Sequence, residues 1–374
     1  MKFKINHAHL INGLTLVNNI VSARSSMPIL GNVLVEAEGE TVSFTTTNLD
    51  LGIRVRIKAE VNTSGSITLP AKMLYSMVRP LGEEKDVVFE EKGQNLMQIS
   101  AGTFKYKIAG IGAAEFPALP TFANLHSFSI GQGDLLGLLK KVSYAKSVDE
   151  NRYVLNGVYF NFEEGKLTLV ATDGRRLATA AKPVNIDAEQ GGSLILPAKT
   201  VAELERLLGT EGDVKISFND RHVSFISQVT KSDSGLVDEV HIVSKVVDGN
   251  YPNYRQVIPK ETMHRIKLER KLFFEGVTKV AVVTTDKNTS IKFTVNANEV
   301  ELSASSENGE ADGKIVVEYD GPEVSIAFNP QYLCDPLRAL VDDVIFFEFK
   351  DEMSPGVIKN GEEFLCVVMP QRLG

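Results

Sequence analysis

Two hydrophobic rhythms alternate along the chain, and the alternation recurs. Apolar residues spaced three and four apart include Leu10, Leu14, Val17 and Val21, and later Leu135, Leu138, Leu139 and Val142. That spacing puts them on one face of a helix. It predicts first helices near His9–Arg24, Asp134–Ser147 and Arg270–Thr285. A second set is expected over Pro70–Leu81, Pro197–Leu208 and Asn329–Leu340. Proline suits the first turn of a helix, Asn329 suits a cap, and Gly82 and Gly209 supply stops. Pro336 falls inside the last of these helices and should kink it or start it late.

Between the helices the period drops to two. Val33–Glu36, Val42–Thr45, Gly157–Phe160, Lys166–Val170 and Ile291–Val295 read as strands. Glu38-Gly39-Glu40 and Glu163-Glu164-Gly165 are turn sequences that join them as hairpins. Helices among antiparallel hairpins define the α+β class.

The pattern is also a repeat. Leu69-Pro70-Ala71-Lys72, continuing to Arg79, Leu81 and Gly82, returns 127 residues on as Leu196-Pro197-Ala198-Lys199, continuing to Arg206, Leu208 and Gly209. A weaker third copy, Phe328-Asn329-Pro330 to Arg338 and Leu340, follows after another 132. Such a period exceeds a solenoid unit and matches a domain. Three domains are therefore expected, 1–125, 126–258 and 259–374. The first ends at Phe116-Pro117-Ala118-Leu119-Pro120 and the second at Asp248–Tyr254.

Composition narrows the function. The chain has 374 residues and 43% hydrophobic content, enough for three cores. No apolar run is long enough for a membrane span, so no membrane partner is expected. Met1–Asn6 alternates like a strand and lacks the core of a signal peptide. Cys334 and Cys366 are the only cysteines, which fits a reducing, cytoplasmic setting. The sequons at Asn62 and Asn288 are then chance matches.

The net charge of −8 argues against nucleic acid, but the charge is unevenly spread. The six helix spans together carry about seven net positive charges, leaving about fifteen net negative for the rest. If the helices face one way, one surface is basic and suits phosphate contact without base reading. The competing reading is that Lys and Arg merely solvate the helix faces.

Catalytic patterns are missing. There is no Walker A sequence, and Gly110-Ile111-Gly112 and Gly131-Gln132-Gly133 lack the dinucleotide spacing. The six histidines, His7 and His9 among them, show no metal-ligand spacing, and neither cysteine has a CxxC partner. No metal or cofactor is expected. Thr172-Asp173-Gly174-Arg175-Arg176-Leu177 is the most enzyme-like string. Asp-Gly there reads as a hairpin turn, and a hydrolase or nuclease using Asp173 would lack a nucleophile and a base.

Several longer motifs in order resemble the bacterial replicative sliding-clamp family, the β subunit of DNA polymerase III. They are Pro28–Asn32, Arg152-Tyr153 with Leu155-Asn156-Gly157, Ala171–Leu177, Val247–Gly249 with Tyr251-Pro252 and Tyr254, and Val367–Leu373. The resemblance covers essentially the whole chain. It implies a non-enzymatic processivity factor: two chains, three domains each, closed head to tail into a pseudo-six-fold ring around double-stranded DNA. It puts the helices inside and the sheets outside, which accounts for the charge distribution. An acidic exterior would repel DNA from the wrong face.

The resemblance also assigns residues. Arg24, Lys72 and Tyr153 fall where DNA contacts are expected, and the repeat extends this to Arg79, Lys140, Lys199 and Arg206. A partner-peptide pocket is expected at Leu155, Thr172, Gly174, Arg175, Leu177, Pro252, Val257, Tyr332, Met353, Pro355, Val368, Met369, Pro370 and Arg372. Tyr106 and Ile108 match one side of the homodimer interface, and Val282 and Val283 the other. Implied partners are the DNA polymerase III catalytic subunit, a clamp-loader ATPase, and other polymerases and repair proteins carrying a short linear motif. The chain departs from the family at Val154, Asp149, Gln256, Gln371 and Gly374. A binding scaffold that does not encircle DNA is the alternative.

Overall fold

A computed structural model describes residues 1–21, 27–82, 86–93, 95–122, 126–163, 165–184, 191–230, 234–285 and 289–371. Its α-helices are α1 (His7–Asn18), α2 (Ala71–Val78), α3 (Gln132–Val142), α4 (Ala198–Leu207), α5 (Arg270–Ala281) and α6 (Pro330–Ala339). Asparagine opens two of them. Asn6 Oδ1 accepts the His9 N–H at 3.2 Å, and Asn329 Oδ1 accepts the Gln331 N–H at 2.9 Å, as expected for the latter.

Three expectations about helix ends are corrected. Pro70 and Pro197 are the last residues of the strands Gly65–Pro70 and Gly192–Pro197, and do not enter the helix. Their missing N–H and fixed φ separate strand from helix. Gly82 has φ −61°, so no left-handed stop forms, and α2 closes through a 3-10 turn at Arg79–Leu81. Gly209 instead donates its N–H to the buried amide of Gln132 at 3.0 Å. Pro336 does not delay the start of α6, which runs from Pro330 through it to Ala339.

The first helices also stop early. A 3-10 turn at Ser143–Ala145 takes over from α3, and α5 ends at Ala281, before the β-branched run Val282–Thr285. Over the observed bounds α5 carries two net positive charges, α2 and α3 one each, and α1, α4 and α6 none. The helices are thus less basic than the sequence spans suggest. In α4, however, Glu203 is buried while Lys199 and Arg206 are exposed, so its solvent face stays basic.

The described strands form four sheets with antiparallel pairing throughout. Dense contacts divide the chain into two units, and the division does not follow the repeat. One unit is Met1–Leu135 with Arg206–Val246; the other is Leu136–Glu205 with Val247–Gly374.

The first unit holds a five-stranded sheet in the order Glu60–Thr63, Lys2–Asn6, Asp86–Glu91, Leu96–Ala101, Phe104–Ala109. Its nine-stranded sheet begins with Ile111–Gly112, Gly65–Pro70, Asn32–Glu38, Thr41–Thr47 and Leu51–Lys58. It continues with Leu236–Lys245, His222–Gln228, Asp213–Phe218 and His126–Gly131 from the second repeat. Leu51–Lys58 and Leu236–Lys245 make the join, with Ile53 opposite Ile242 and Val55 opposite Val240. Phe3, stacked on Phe89 at 4.7 Å, sits in the core of this unit.

The second unit repeats the plan. Its eight-stranded sheet runs Gly192–Pro197, Gly157–Glu163, Lys166–Thr172, Arg176–Pro183, Phe364–Val368, Gly356–Asn360, Val344–Phe349, His264–Glu269. The join is Arg176–Pro183 against Phe364–Val368. A four-stranded sheet runs Gly309–Val316, Glu299–Ser306, Ile291–Asn296, Val324–Phe328. Phe273, Phe293, Phe328 and Phe347 pack edge to face or tilted at 4.9–6.4 Å to fill the core. Cys334 on α6 and Cys366 on a strand are both buried and free.

Candidate functional site

The Thr172–Arg176 turn is built from its own side chains. Asp173 Oδ1 accepts the N–H groups of Arg175 and Arg176 at 2.9 and 3.0 Å. The Thr172 hydroxyl donates to the Arg176 carbonyl at 2.6 Å and accepts the Gly174 N–H at 3.1 Å. Gly174 has φ +86°, a conformation only glycine adopts without strain. The expected Asp-Gly hairpin is therefore present. Val368 and Val367 pair with Arg176 and Leu177, and the Met369 N–H donates to the Arg175 carbonyl at 3.0 Å. The tail of the third repeat thus lies along the hairpin of the second.

Beneath them Val170, Leu177 and Val367 form a buried cluster with Tyr159, Tyr251, Tyr254 and Ile258 against it. Tyr159 stacks on Tyr251 at 4.9 Å. Burial pushes the Tyr251 phenol well up.

Arg176 is the residue that sequence reasoning passed over in favour of Arg175. Its guanidinium reaches Asp173 at 3.1 Å, Asp335 on α6 at 2.5 Å and the Tyr144 carbonyl at 2.6 Å. It also lies over the Tyr332 ring at 4.6 Å and the Tyr144 ring at 5.5 Å. Burial alone would lower its pKa, but Asp335 and Asp173 more than offset that and hold it above the ordinary value. One side chain therefore ties the hairpin to the helix that carries Tyr332. An arginine opening the apolar strand Arg176–Pro183 was the available signal, because a buried guanidinium needs carboxylates. Nearby, burial pushes the Cys366 thiol up to about 12, so it is inert.

The structure sorts the expected pocket residues into three groups. Val257, Met353 and Met369 are exposed hydrophobics, and Pro252, Gly174 and Arg175 are exposed too. Leu155, Thr172, Tyr332, Pro355 and Pro370 are half-buried. Leu177 and Val368 are 1% and 0% exposed, so both side chains are packed in the interior beneath the exposed members. Arg372 lies outside the described residues. Val257 and Pro355 share a groove of about 550 Å³ with Ile258, Pro259 and Ser354, and Lys260 and Lys350 also line it. Leu155 belongs to a loop tied to the hairpin by Arg152 Nη1, which donates to the Asp173 carbonyl at 3.1 Å.

Lys72 and Arg79 stand seven residues apart and are exposed, as are Lys199 and Arg206. Arg206 also donates to the Leu16 carbonyl at 2.7 Å. Lys140 is exposed in the last turn of α3. Tyr153 is 60% exposed on a loop where Asp149 Oδ1 accepts the Asn151 N–H at 3.0 Å. Lys72, Arg79 and Arg206 belong to the first unit, and Lys140, Tyr153 and Lys199 to the second. Arg24 lies outside the described residues. Among the described residues no His, Cys, Asp and Glu cluster could hold a metal ion, and no helix is long and apolar enough to cross a membrane.

Tyr106 is half-buried on Phe104–Ala109, an edge strand of the five-stranded sheet. Ile108 on the same strand is 2% exposed, so its side chain belongs to the core and not to a free surface. Val282 is exposed at the end of α5. The Val283 carbonyl accepts the Ser306 hydroxyl at 2.5 Å, beside the hairpin whose outer strand, Gly309–Val316, is also an edge.

The family models for the DNA polymerase III beta subunit match in order: the N-terminal domain over residues 1–120, the central domain over 129–253 and the C-terminal domain over 255–372. The chain belongs to the DNA polymerase III beta subunit family. The beta sliding clamp of Caulobacter vibrioides is 34% identical, with both chains covered in full. That of Escherichia coli is 28% identical at the same coverage. A sliding-clamp structure from Bacillus subtilis superposes with a TM-score of 0.93 at 28% identity, and one from Pseudomonas aeruginosa bound to griselimycin with 0.92 at 29%, each over the full length of both chains. Membership makes this a non-enzymatic processivity clamp with three tandem clamp domains, and gives no support to the scaffold alternative.

Proposed function

We propose that two copies of this chain close head to tail into a ring that holds duplex DNA by topology, while the groove beside the Thr172–Arg176 hairpin captures partner polymerases. The domains divide near residues 125 and 258 in this reading. Lys72, Arg79, Lys140, Tyr153, Lys199 and Arg206, with Arg24, meet phosphates without reading sequence. The observation that carries the ring is a pair of open sheet edges. Phe104–Ala109 presents exposed Lys105 and Lys107, and Gly309–Val316 presents exposed Glu310 and Asp312, while its one lysine, Lys314, is paired with Glu299 at 2.8 Å. Edges of opposite charge, one in the first repeat and one in the third, suit a heterologous contact that closes on itself.

The groove supports a peptide partner. Val257 lines it with Ile258, Pro259 and Pro355, Met353 is exposed close by in sequence, and exposed Met369 is tied through its N–H to the Arg175 carbonyl, so uncovered apolar side chains are on offer to a peptide. The DNA polymerase III catalytic subunit, other polymerases and repair proteins, each by a short linear motif, are its ligands. A clamp-loader ATPase opens the ring on DNA in the bacterial cytoplasm.

Light scattering after size exclusion tests the ring. Twice the 41.0 kDa chain mass, persisting on dilution, is expected, and Val282→Glu should shift it toward monomer. A monomer at micromolar concentration would remove the basis of the tether. The second test is retention on circular DNA with release after one cut; retention on linear DNA with free ends would contradict encirclement.

A further inference from the structure

We infer that Arg338 is a contact for the duplex phosphate backbone supplied by the third repeat, where the sequence assigns none. The inference rests on the DNA-encircling reading above. Its own ground is register. The helices α2, α4 and α6 begin at Ala71, Ala198 and Pro330, each directly after a strand or its asparagine cap. Arg79, Arg206 and Arg338 each stand eight residues past that start, and all three are exposed. The lysine position has drifted, since Lys72 and Lys199 correspond to Gln331, but the arginine position has not.

The surroundings keep that charge available. Arg338 Nη1 donates to Asp335 Oδ1 at 3.2 Å, and the guanidinium lies 5.2 Å over the Phe274 ring. The bridge engages one edge of a guanidinium whose side chain is 53% exposed, and Asp335 is shared with Arg176 at 2.5 Å and accepts from Gln331 as well. Beside Arg338 lies a hollow of about 420 Å³ lined by residues such as Thr278, Asn329 and Gln331, with no acid in its lining. A phosphate approaching there meets an oriented, half-exposed guanidinium and no opposing carboxylate in the hollow. Arginine offers a planar fork that fits two phosphate oxygens.

A last-turn arginine can also serve only the helix dipole, so the test must read DNA. The measurement is anisotropy of a labelled short duplex across a salt series, with the assembled protein, Arg338→Gln, Arg338→Lys and Lys72→Gln. The expected result is weaker binding by Arg338→Gln, with the slope of log affinity against log salt shallower by about 0.9 per lost contact. Arg338→Lys should restore the slope, which a purely structural role would not. If Arg338→Gln superimposes on the parent while Lys72→Gln is shallower, the inference is overturned and the DNA reading stands. If the parent shows no salt-dependent binding, both fall.

Discussion

The two places where sheets cross from one repeat to the next share a topology and differ in chemistry. At the first, Leu51–Lys58 lies beside Leu236–Lys245; at the second, Arg176–Pro183 lies beside Phe364–Val368. At the first, the surface is a lattice of solvated ion pairs: Lys245 with Asp50 at 2.9 Å, Arg56 with Asp238 at 2.9 Å and Arg54 with Glu36 at 3.6 Å. Leu119 of the linker is seated on Gly52, leaving no room for a Cβ. At the second, the ion network is buried around Arg176 and exposed apolar side chains stand nearby. Pairing strands is enough to make a joint. Making the joint into a site needs a buried charge that fixes the walls while the apolar surface stays uncovered.

The largest expected effect follows from that contrast. Arg176→Ala removes the cation shared by Asp173 and Asp335, leaving the first to backbone N–H groups and the second to Gln331 and Arg338, and should cost about 3–5 kcal/mol in denaturant unfolding. A loss as small as that of a surface pair would mean that the network does not hold the joint together.

The next effect belongs to the first joint. His241 is half-buried there, with its Nε2 2.8 Å from the Ser224 hydroxyl. Burial, and then the nearby Arg54, lower its pKa from 6.5 to about 4. The folded pKa lies below the unfolded one, so the unfolded chain binds the extra proton first. Stability is therefore full above pH 6.5 and falls as pH drops toward 4, by at most about 3 kcal/mol. His241→Gln should flatten that portion of a pH–stability curve; an unchanged slope would assign it to other groups.

A smaller effect probes the groove. Met369→Ala should weaken a fluorescent partner peptide about tenfold with unfolding unchanged. Leu177→Ala is no substitute, because this buried residue should lose about 2–5 kcal/mol of stability whatever the ligand does. Unaltered peptide affinity in Met369→Ala would move the site elsewhere. Smallest of all, Lys245→Ala should change stability by less than about 1 kcal/mol, since its partner Asp50 is mostly in water.

Much of this was legible in the residues. Hydrophobic period gave the helices and the named strands, and Asn329 and the Asp-Gly turn were read correctly because their signals are local. Helix ends were misread at Pro70, Gly82 and Gly209, where a strand, a 3-10 turn and the distant Gln132 amide decide the outcome. The groove's exposed members were within reach of motif reading. Its underlying packing and its fastener were not, because Leu177, Val368, Arg176 and Asp335 acquire their roles only when strands from two repeats meet. The same holds for the two compact units, since a strand's partner across a repeat boundary leaves no trace in a single sequence.

The sheets that run through both joints have a consequence for how such a chain can be cut. The segment copied in sequence is not the segment that folds. Removing the third repeat would bare Arg176–Pro183, an apolar edge with unpaired N–H and C=O groups along its length, and bared edges recruit strands from other molecules. A fragment made by trimming at a repeat boundary should therefore aggregate. Cuts that follow the contact units, though they split the middle repeat in the sequence, would leave each sheet whole.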